Sequence, residues 1–184
     1  MIDQVVIGYQ NAWLFEKVQR LAATDQLTGL ASRRHFLEQA EHVFAAHGAA
    51  GRPVSAAMVD IDHFKRVNDV HGHIVGDEVL TEVARRLRRA FRDEDLIGRV
   101  GGEEFAVLMS GPATTAEALG QRLRNALAQD PIDTSVGPLD IRLSVGVTPR
   151  SPGDRSLRDL LTRADNALYE AKRGGRDRVA VQLR

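Results

Sequence analysis

The stretch IGRVGGEEFAVLMSG, residues 97–111, sets two glycines and two glutamates between two apolar runs. Short apolar runs joined by a glycine-rich corner predict a β-hairpin, with a tip that uses glycine at positive φ. On this stretch alone the glutamates are solvated turn residues, because short motifs often arise by chance. A hairpin needs an antiparallel strand pair, so the stretch also argues against an all-parallel sheet.

Helices and strands are predicted to alternate along the rest of the chain. Ser32 is a suitable N-cap for a helix over 33–47, and the apolar spacing of Val79, Val83 and Leu87 predicts an amphipathic helix over 76–92. With the hairpin, this pattern predicts an α/β (α+β) fold, in which helices surround a mostly antiparallel central sheet. The remaining predicted helices cover 63–72, 114–129 and 156–175, and the remaining strands cover 54–62, 141–149 and 178–183.

Composition excludes several classes of function for the 184-residue chain. Its 25 basic residues balance 25 acidic ones, so no overall field attracts nucleic acid or a membrane surface, and we expect neither partner. The absence of cysteine excludes disulfides, thiolate metal sites and cysteine nucleophiles. No apolar stretch approaches the roughly 18 residues of a membrane span and no signal-peptide pattern is present, so we predict a cytoplasmic protein.

Residues 1–23 are predicted to form a helix in front of a domain over 24–184. Ile7, Leu14 and Leu21 repeat every seven residues and Asn11 lies at an offset position, which is typical of a two-stranded coiled coil. A single amphipathic helix lying on the domain is the alternative. We interpret this segment as a signalling connector to an upstream sensor domain that is absent from the chain.

Asp60 and Asp62 end the predicted strand over 54–62. Because side chains alternate along a strand, both carboxylates point the same way and Ile61 points into the core. If this strand neighbours the hairpin, Asp60 or Asp62 faces Glu103. Two carboxylates with few other ligands suit Mg²⁺, which substrate phosphates often complete, and two such ions can assist phosphoryl transfer. The alternative is a strand end with solvated acids.

Polar residues outside the hairpin suit a purine nucleotide. Asn68 and Asp77 offer an amide and a carboxylate, which together match the acceptor and donors on the edge of guanine. An N-cap is an equally good interpretation of Asp77. Gly101 and Gly102 lack a Cβ, which allows close approach of a ligand. Three cations that suit a triphosphate, each of which alone is an ordinary solvated residue, are Lys65, Lys172 and Arg176.

Six ordered blocks of sequence together resemble the GGDEF family of diguanylate cyclases over residues 24–184, here with a GGEEF hairpin. These enzymes condense two GTP molecules into cyclic di-GMP and release pyrophosphate. The resemblance implies a nucleotidyl-cyclase fold related to polymerase palms. The blocks are TDQLTGLASRRHF (24–36), DIDHFKRVND (60–69), HGHIVGDEVL (71–80), GGEEF (101–105), LSVGV (143–147) and ADNALYEAKRGGR (164–176).

The resemblance also implies roles for individual residues. Asp60 and Glu103 are implied Mg²⁺ ligands, assisted by the Ile61 carbonyl; two ions per active half-site are implied, with Mn²⁺ as a possible substitute. Glu104 is the second hairpin acid, which either helps to activate the 3′-hydroxyl or binds metal. The implied guanine-binding residues are Asn68 and Asp77, the implied phosphate-binding cations are Lys65, Lys172 and Arg176, and Gly102 is the implied close-approach glycine.

A second constellation precedes the hairpin. Arg92 and Asp95 form an R-x-x-D motif, and five residues separate Asp95 from Gly101. This spacing is similar to that of the family's inhibitory product site. Arginine can bind phosphate or guanine, and aspartate can accept hydrogen bonds from guanine. Arg122 is expected to join them from the helix over 114–129. An ordinary Arg92–Asp95 ion pair is the alternative.

The chain departs from the family at three positions. Ser32 stands where many members have asparagine, Val100 replaces a frequent aromatic residue, and Asp177 stands where asparagine is usual. None of these changes removes an implied ligand. The implied enzyme is a homodimer in which each domain holds one GTP. The alternatives are a catalytically silent module that binds GTP or cyclic di-GMP, and a cyclase that acts on a single nucleotide.

Overall fold

The computed structural model describes residues 23–110, 120, 121, 124 and 130–183. The predicted helix over 1–23 lies outside this part except for its last residue, and so do most of the predicted helix over 114–129 and Arg122. The helices are α1 (Arg33–Ala49), α2 (Phe64–His71), α3 (His73–Ala90) and α4 (Leu157–Arg173). The strands are β1 (Ala31–Ser32), β2 (Val54–Ile61), β3 (Leu96–Arg99), β4 (Glu104–Ser110), β5 (Ile132–Thr134), β6 (Gly137–Leu139), β7 (Leu143–Pro149) and β8 (Val179–Val181).

Six of these strands form one sheet in the order β1-β3-β4-β2-β7-β8. The three central pairings, β3–β4, β4–β2 and β2–β7, are antiparallel, and the two edge strands pair in parallel. The strands β5 and β6 form a separate two-stranded sheet. The predicted fold class, a mixed α/β fold around a mostly antiparallel sheet, is therefore confirmed.

Helices cover both faces of the sheet, which explains why β2 is almost continuously buried. On one face, alternate residues such as Val59 and Ile61 pack with the apolar side of α3. On the other face, residues such as Ala56 and Leu108 pack against α1 and α4. Side-chain alternation therefore places the even-numbered residues at the end of β2, including Asp60, on the side of α1 and α4.

The local signals for helix starts are partly confirmed. The Ser32 side chain accepts a hydrogen bond from the His35 backbone N–H and caps α1, as predicted. The helix α3 begins at His73 with Gly72 as its N-cap, which is earlier than the predicted start at residue 76. Asp77 therefore lies inside α3, and the N-cap interpretation of this residue is wrong.

The hairpin is confirmed, but the prediction for its tip is wrong. The strands β3 and β4 pair from Leu96–Leu108 to Arg99–Phe105, as the sequence pattern requires. Gly101 and Gly102 do not have positive φ. A Cβ at Gly101 would overlap the end of the Glu104 side chain, which would have to shift.

Candidate active site

The hairpin brings Glu103 beside the end of β2. Asp60 is directly opposite Glu104 in the β2–β4 ladder, and the Ile61 backbone N–H donates to the Glu103 carbonyl at 3.3 Å. Asp60 is only 5% exposed, and the Ile61 side chain is fully buried in the core, as predicted. The end of β2 and the hairpin tip therefore place two acidic side chains at one end of the central strands of the sheet.

Both carboxyl groups have raised pKa values, and the charge of Asp60 acts on Glu103. Burial raises the pKa of Asp60, although the hydrogen bond and charge of Lys172 oppose this effect. Burial also raises the pKa of Glu103, followed by the charge of Asp60 as the second cause. Raised pKa values mean that the site holds more negative charge than its surroundings stabilise, and a bound cation relieves this excess.

The donor set fits a magnesium ion that keeps water or phosphate ligands. Within the described residues, no group of three or more histidine, aspartate or glutamate side chains is placed to hold a metal. A closed cage of protein ligands is therefore absent from this part of the chain. Asp60 and Glu103 supply the one or two carboxylates that Mg²⁺ usually takes from a protein at phosphate-transfer sites.

Lys172 connects the acidic pair to α4. Its Nζ lies 2.7 Å from Asp60 Oδ2, and it projects from the last turn of the helix. The Lys172 side chain is 31% exposed, whereas that of Asp60 is 7% exposed. The ammonium group therefore lies at the mouth of the site, between the carboxylate and solvent.

Asp62 has a different environment from Asp60. Its Oδ1 accepts a hydrogen bond from Ser144 Oγ at 2.7 Å, and its Oδ2 accepts one from the Asp177 backbone N–H at 2.9 Å. Side-chain alternation alone left both Asp60 and Asp62 as candidates to face Glu103, whereas the family resemblance implied Asp60. The structure separates them, because the carboxylate of Asp62 is bound to β7 and to the loop after α4.

The predicted guanine-binding residues lie on two adjacent helices. Asn68 is on α2, and its side-chain oxygen lies so close to Gly76 of α3 that a Cβ there would overlap it. Asp77 follows Gly76 directly, is exposed, and is too far into α3 to cap it. The Asn68 amide therefore lies against Gly76, the residue before Asp77, at the α2–α3 junction.

The remaining predicted ligands are accessible. Lys65 is exposed in the first turn of α2, and Arg176 is 46% exposed with its Nε 4.0 Å from Asp62 Oδ1. Gly102 is exposed, and no atom lies within 4 Å of the position that a Cβ would occupy. Glu104 folds over Gly101 and lines a cleft of about 660 Å³ between α1 and α4. None of these positions conflicts with the predicted roles.

Sequence reasoning missed an ion pair that supports the hairpin. Arg99 Nη1 lies 3.2 Å from Asp25 Oδ1, and Arg99 Nη2 donates to the Gly102 carbonyl at 2.7 Å. Burial raises the pKa of Asp25, but hydrogen bonds from Thr28 and Arg99 outweigh it, so the pKa is lowered. The Asp25-x-x-Thr28 pattern signals a turn, whereas nothing local to Arg99 identifies its distant partner.

The R-x-x-D motif forms a turn, and the described contacts are not those of an Arg92–Asp95 ion pair. The Asp95 carboxylate accepts a hydrogen bond from the Arg92 backbone N–H at 3.0 Å, and Asp95 is 4% exposed. The Arg92 guanidinium is exposed and lies 3.7 Å from the Glu94 carboxylate. Arg92 is therefore accessible to a ligand, while Asp95 is partly used in the turn. Its expected neighbour, Arg122, is outside the described residues.

This fold and edge site define a class: a palm-like nucleotidyl-cyclase fold with an acidic pair and cations at the end of its central strands. The profile of the family described as diguanylate cyclase, GGDEF domain, matches residues 22–178. The chain belongs to this family, and the resemblance in the sequence is confirmed.

Relatives and solved structures agree with this assignment. The chain is 45% identical over 169 residues to diguanylate cyclase DgcP of Pseudomonas aeruginosa, covering 90% of this chain and 25% of that protein. The coiled coil and GGDEF domain of DgcB from Caulobacter crescentus, in complex with c-di-GMP, matches with a TM-score of 0.90 at 33% identity, covering 98% and 96% of the two chains. The active GGEEF domain of a diguanylate cyclase from Vibrio cholerae matches with a TM-score of 0.79 at 35% identity, covering 86% and 99%.

The chain spans a quarter to about half of the length of the first curated relatives that it matches. Activities and partners of those longer proteins therefore enter only as proposals. Within the part of the chain that the structure describes, every helix is too short or too polar to cross a membrane.

Proposed function

We propose that this chain is a diguanylate cyclase domain that converts two GTP molecules into cyclic di-GMP and two pyrophosphates. The observation that carries the proposal is the placement of Asp60 and Glu103: Asp60 lies opposite Glu104 in the β2–β4 ladder, and the next residue, Ile61, donates its N–H to the Glu103 carbonyl. Lys172, which contacts Asp60, offers a cation for a triphosphate, and the α2–α3 junction offers an amide and a carboxylate for a guanine. Family membership supports the same activity.

Asp60 and Glu103, with the Ile61 carbonyl, would hold divalent ions, which we propose to be two Mg²⁺ per active half-site, with Mn²⁺ as a substitute. When bound, these ions neutralise charge on the phosphates and on the attacking and leaving oxygens. Lys172 can exchange its contact with Asp60 for a phosphate oxygen, because it lies at the mouth of the site. Lys65 and Arg176 would bind the remaining phosphate charge.

Asn68 and Asp77 would select guanine, the amide donating to O6 and the carboxylate accepting from N1–H and N2–H₂. The open surface at Gly102 allows the nucleotide to lie against the hairpin backbone. The 3′-hydroxyl of each GTP attacks the α-phosphorus of the other, and each attack forms one ester bond and expels one pyrophosphate. Glu104 would either assist loss of the hydroxyl proton or contact a metal.

Each domain supplies half of the reaction, so we propose a homodimer whose geometry is controlled by the N-terminal segment. Residues 1–23 would be the signalling helix and 24–184 the cyclase domain. The match to the DgcB structure supports this division, because that structure comprises a coiled coil and a GGDEF domain and covers 98% of this chain. An upstream sensor domain would control how the N-terminal helices of the two subunits pair. The proposed location of the domain is the cytoplasm. Product would inhibit at Arg92, Asp95 and Arg122.

The test is a product assay with purified chain, GTP and Mg²⁺. Chromatography should resolve cyclic di-GMP, with pyrophosphate released in a one-to-one ratio to GTP consumed. Glu103→Ala should abolish the product, whereas Glu38→Ala, at an exposed position on α1, should leave it unchanged. Binding of GTP or cyclic di-GMP by the wild-type chain without turnover would instead identify a silent signalling module, and a cyclic mononucleotide would identify a single-nucleotide cyclase.

A further inference from the structure

Asp62 carries a buried charge for which the proposed reaction has no use. Its side chain is 2% exposed, and both carboxylate oxygens accept hydrogen bonds from the protein. Its backbone N–H also donates to the Arg142 carbonyl at 2.9 Å. A buried charge is costly unless its partners satisfy it, so a carboxylate in this position needs a specific explanation.

The partner of Asp62 is a backbone segment with unusual geometry. Three consecutive residues after α4 have positive φ: Gly175 at 111°, Arg176 at 62° and Asp177 at 44°. Left-handed backbone is unfavourable for residues other than glycine and persists where the surrounding structure imposes it, often at functional sites. The Asp177 N–H, which follows the left-handed Arg176, is the group bound by Asp62 Oδ2.

Other contacts, made by Asp177 and by the Arg176 backbone, also hold this segment. The Asp177 carboxylate lies 3.6 Å from Arg124 and 3.9 Å from Arg142, and Arg124 also donates to the Asp177 carbonyl at 3.2 Å. The Arg176 N–H donates to the Ala171 carbonyl near the end of α4. Asp62 is the group that connects this held segment to the end of β2, two residues from Asp60.

The segment determines where the Arg176 guanidinium lies. Arg176 Nε is 4.0 Å from Asp62 Oδ1, beyond hydrogen-bond distance, so the guanidinium keeps its donors available while it faces the carboxylate. Arg176 is therefore beside Asp62, and its side chain is about half exposed to solvent.

We propose that Asp62 is a positioning residue with two parts to its role: its hydrogen bond to the Asp177 N–H holds the left-handed Arg176 segment, and its negative charge orients the Arg176 guanidinium towards the triphosphate of the bound nucleotide. This inference rests on the proposed function and assigns Asp62 no contact with metal or substrate. Asp60 and Asp62 thus have separate tasks at one strand end: Asp60 faces the ligand, and Asp62 supports a residue that binds it.

The test measures the part of nucleotide affinity that comes from the triphosphate. We would titrate 3′-deoxy-GTP, which cannot be cyclised because it lacks the attacking hydroxyl, and 3′-deoxyguanosine, which lacks all phosphates, in the presence of Mg²⁺. Asp62→Asn retains an acceptor for the Asp177 N–H and an amide that can donate to Ser144 Oγ, so the segment stays held and only the charge that orients the Arg176 guanidinium is removed. The ratio of the two dissociation constants is the readout.

We expect Asp62→Asn to weaken 3′-deoxy-GTP binding by roughly tenfold, the scale of one charge-assisted contact, and to leave 3′-deoxyguanosine binding unchanged. Arg176→Ala should have the same effect, and the double variant should be no weaker than Arg176→Ala alone, because both changes remove one coupled interaction. A merely structural role for Asp62 would change both affinities together and would add to the effect of Arg176→Ala.

Asp154→Asn is the matched control. Asp154 is equally buried, accepts a hydrogen bond from the Ser151 backbone N–H and pairs with Arg163, but it lies beyond the opposite end of β7. Wild-type chain that binds 3′-deoxy-GTP, with Asp62→Asn behaving like Asp154→Asn, would overturn the proposal and leave the proposed function intact. Wild-type chain that fails to bind 3′-deoxy-GTP would overturn both.

Discussion

Lys172 Nζ lies 2.7 Å from Asp60 Oδ2, and this contact joins the last turn of α4 to the end of β2. The two residues are 112 positions apart in the sequence. Lys172 is an implied phosphate-binding cation, and Asp60 is an implied metal ligand. Their contact brings the acidic residue at the end of β2 and the basic residue at the end of α4 into a single site. Four predictions follow from this site and its supports.

Replacing Lys172 with methionine should raise the KM for GTP by about tenfold or more, because one charge-assisted phosphate contact is lost. The methionine keeps the apolar stem of the side chain. Arg173→Met is the control, since Arg173 is exposed one residue further and pairs with Glu170 on the helix surface. Steady-state pyrophosphate release checks both variants, and equal KM values would remove Lys172 from the substrate site.

Glu103→Gln should stabilise the fold while it abolishes turnover. The raised pKa of Glu103 means that the folded chain binds this proton more tightly than the unfolded chain, so the ionised group destabilises the fold. This cost develops as the pH rises from the ordinary value of 4.5 through the raised value. At pH 7.5 we expect Glu103→Gln to raise Tm by roughly 2–5 °C, a common gain when a destabilising active-site charge is removed.

The difference in Tm between the wild type and Glu103→Gln should shrink as the pH falls through the raised value and then below 4.5, because the wild-type carboxyl group becomes protonated in the folded state first and then in the unfolded state. Magnesium provides a second readout: it should raise the Tm of the wild type and of Glu38→Gln by mass action, and have little effect on Glu103→Gln. A wild-type Tm that does not change when Mg²⁺ is added would contradict the metal assignment.

Asp25→Asn should loosen the hairpin tip. Arg99 would lose its partly buried charge partner while still holding the Gly102 carbonyl, and we expect about 1 kcal/mol of lost stability and a lower kcat. The lowered pKa of Asp25 means that its stabilisation is present above the ordinary value of 3.8 and is lost as the pH falls through the lowered one. Denaturant unfolding at pH 7 measures the loss.

The control for Asp25→Asn is the exposed pair of Arg34 and Glu38, in which the side chains are 77% and 51% exposed. Breaking it with Glu38→Gln should cost less than about 0.5 kcal/mol, because exposed ion pairs are weak. If the two variants lose equal stability and kcat is unchanged, the Asp25–Arg99 contact does not support the hairpin.

Arg92→Ala should relieve inhibition by cyclic di-GMP. The Arg92 side chain is exposed and makes its described charge contact with Glu94, so its removal should leave the fold and the uninhibited rate intact. Glu94→Ala is the control, and it should retain inhibition or strengthen it, because it frees the guanidinium. Initial rates over a range of added product give the inhibition constants, and an unchanged constant in Arg92→Ala would leave the motif with only a role in the turn.

Local patterns were sufficient wherever the physical cause is local. The Ser32 cap, the alternation along β2 and the hairpin at 97–111 depend on residues a few positions apart, and all three were predictable. The backbone of the hairpin tip was not, because neither Gly101 nor Gly102 has the positive φ that a glycine corner suggests. The start of α3 was also misplaced, since Gly72 is an unusual N-cap with no side chain to signal it.

The amino-acid sequence by itself determined the family, the fold class and the set of acidic, amide and basic residues that can meet a nucleotide. Only the tertiary structure decided the partners of two similar aspartates: Asp60 pairs with Lys172, whereas Asp62 accepts a hydrogen bond from the Asp177 backbone 115 residues away. The tertiary structure likewise pairs Asp25 with Arg99, which is 74 residues away. The Asp95 carboxylate accepts a hydrogen bond from the Arg92 backbone within its own turn. The physical reason is that local patterns follow from backbone periodicity, while the partner of a buried charge depends on strand register and on how distant segments pack.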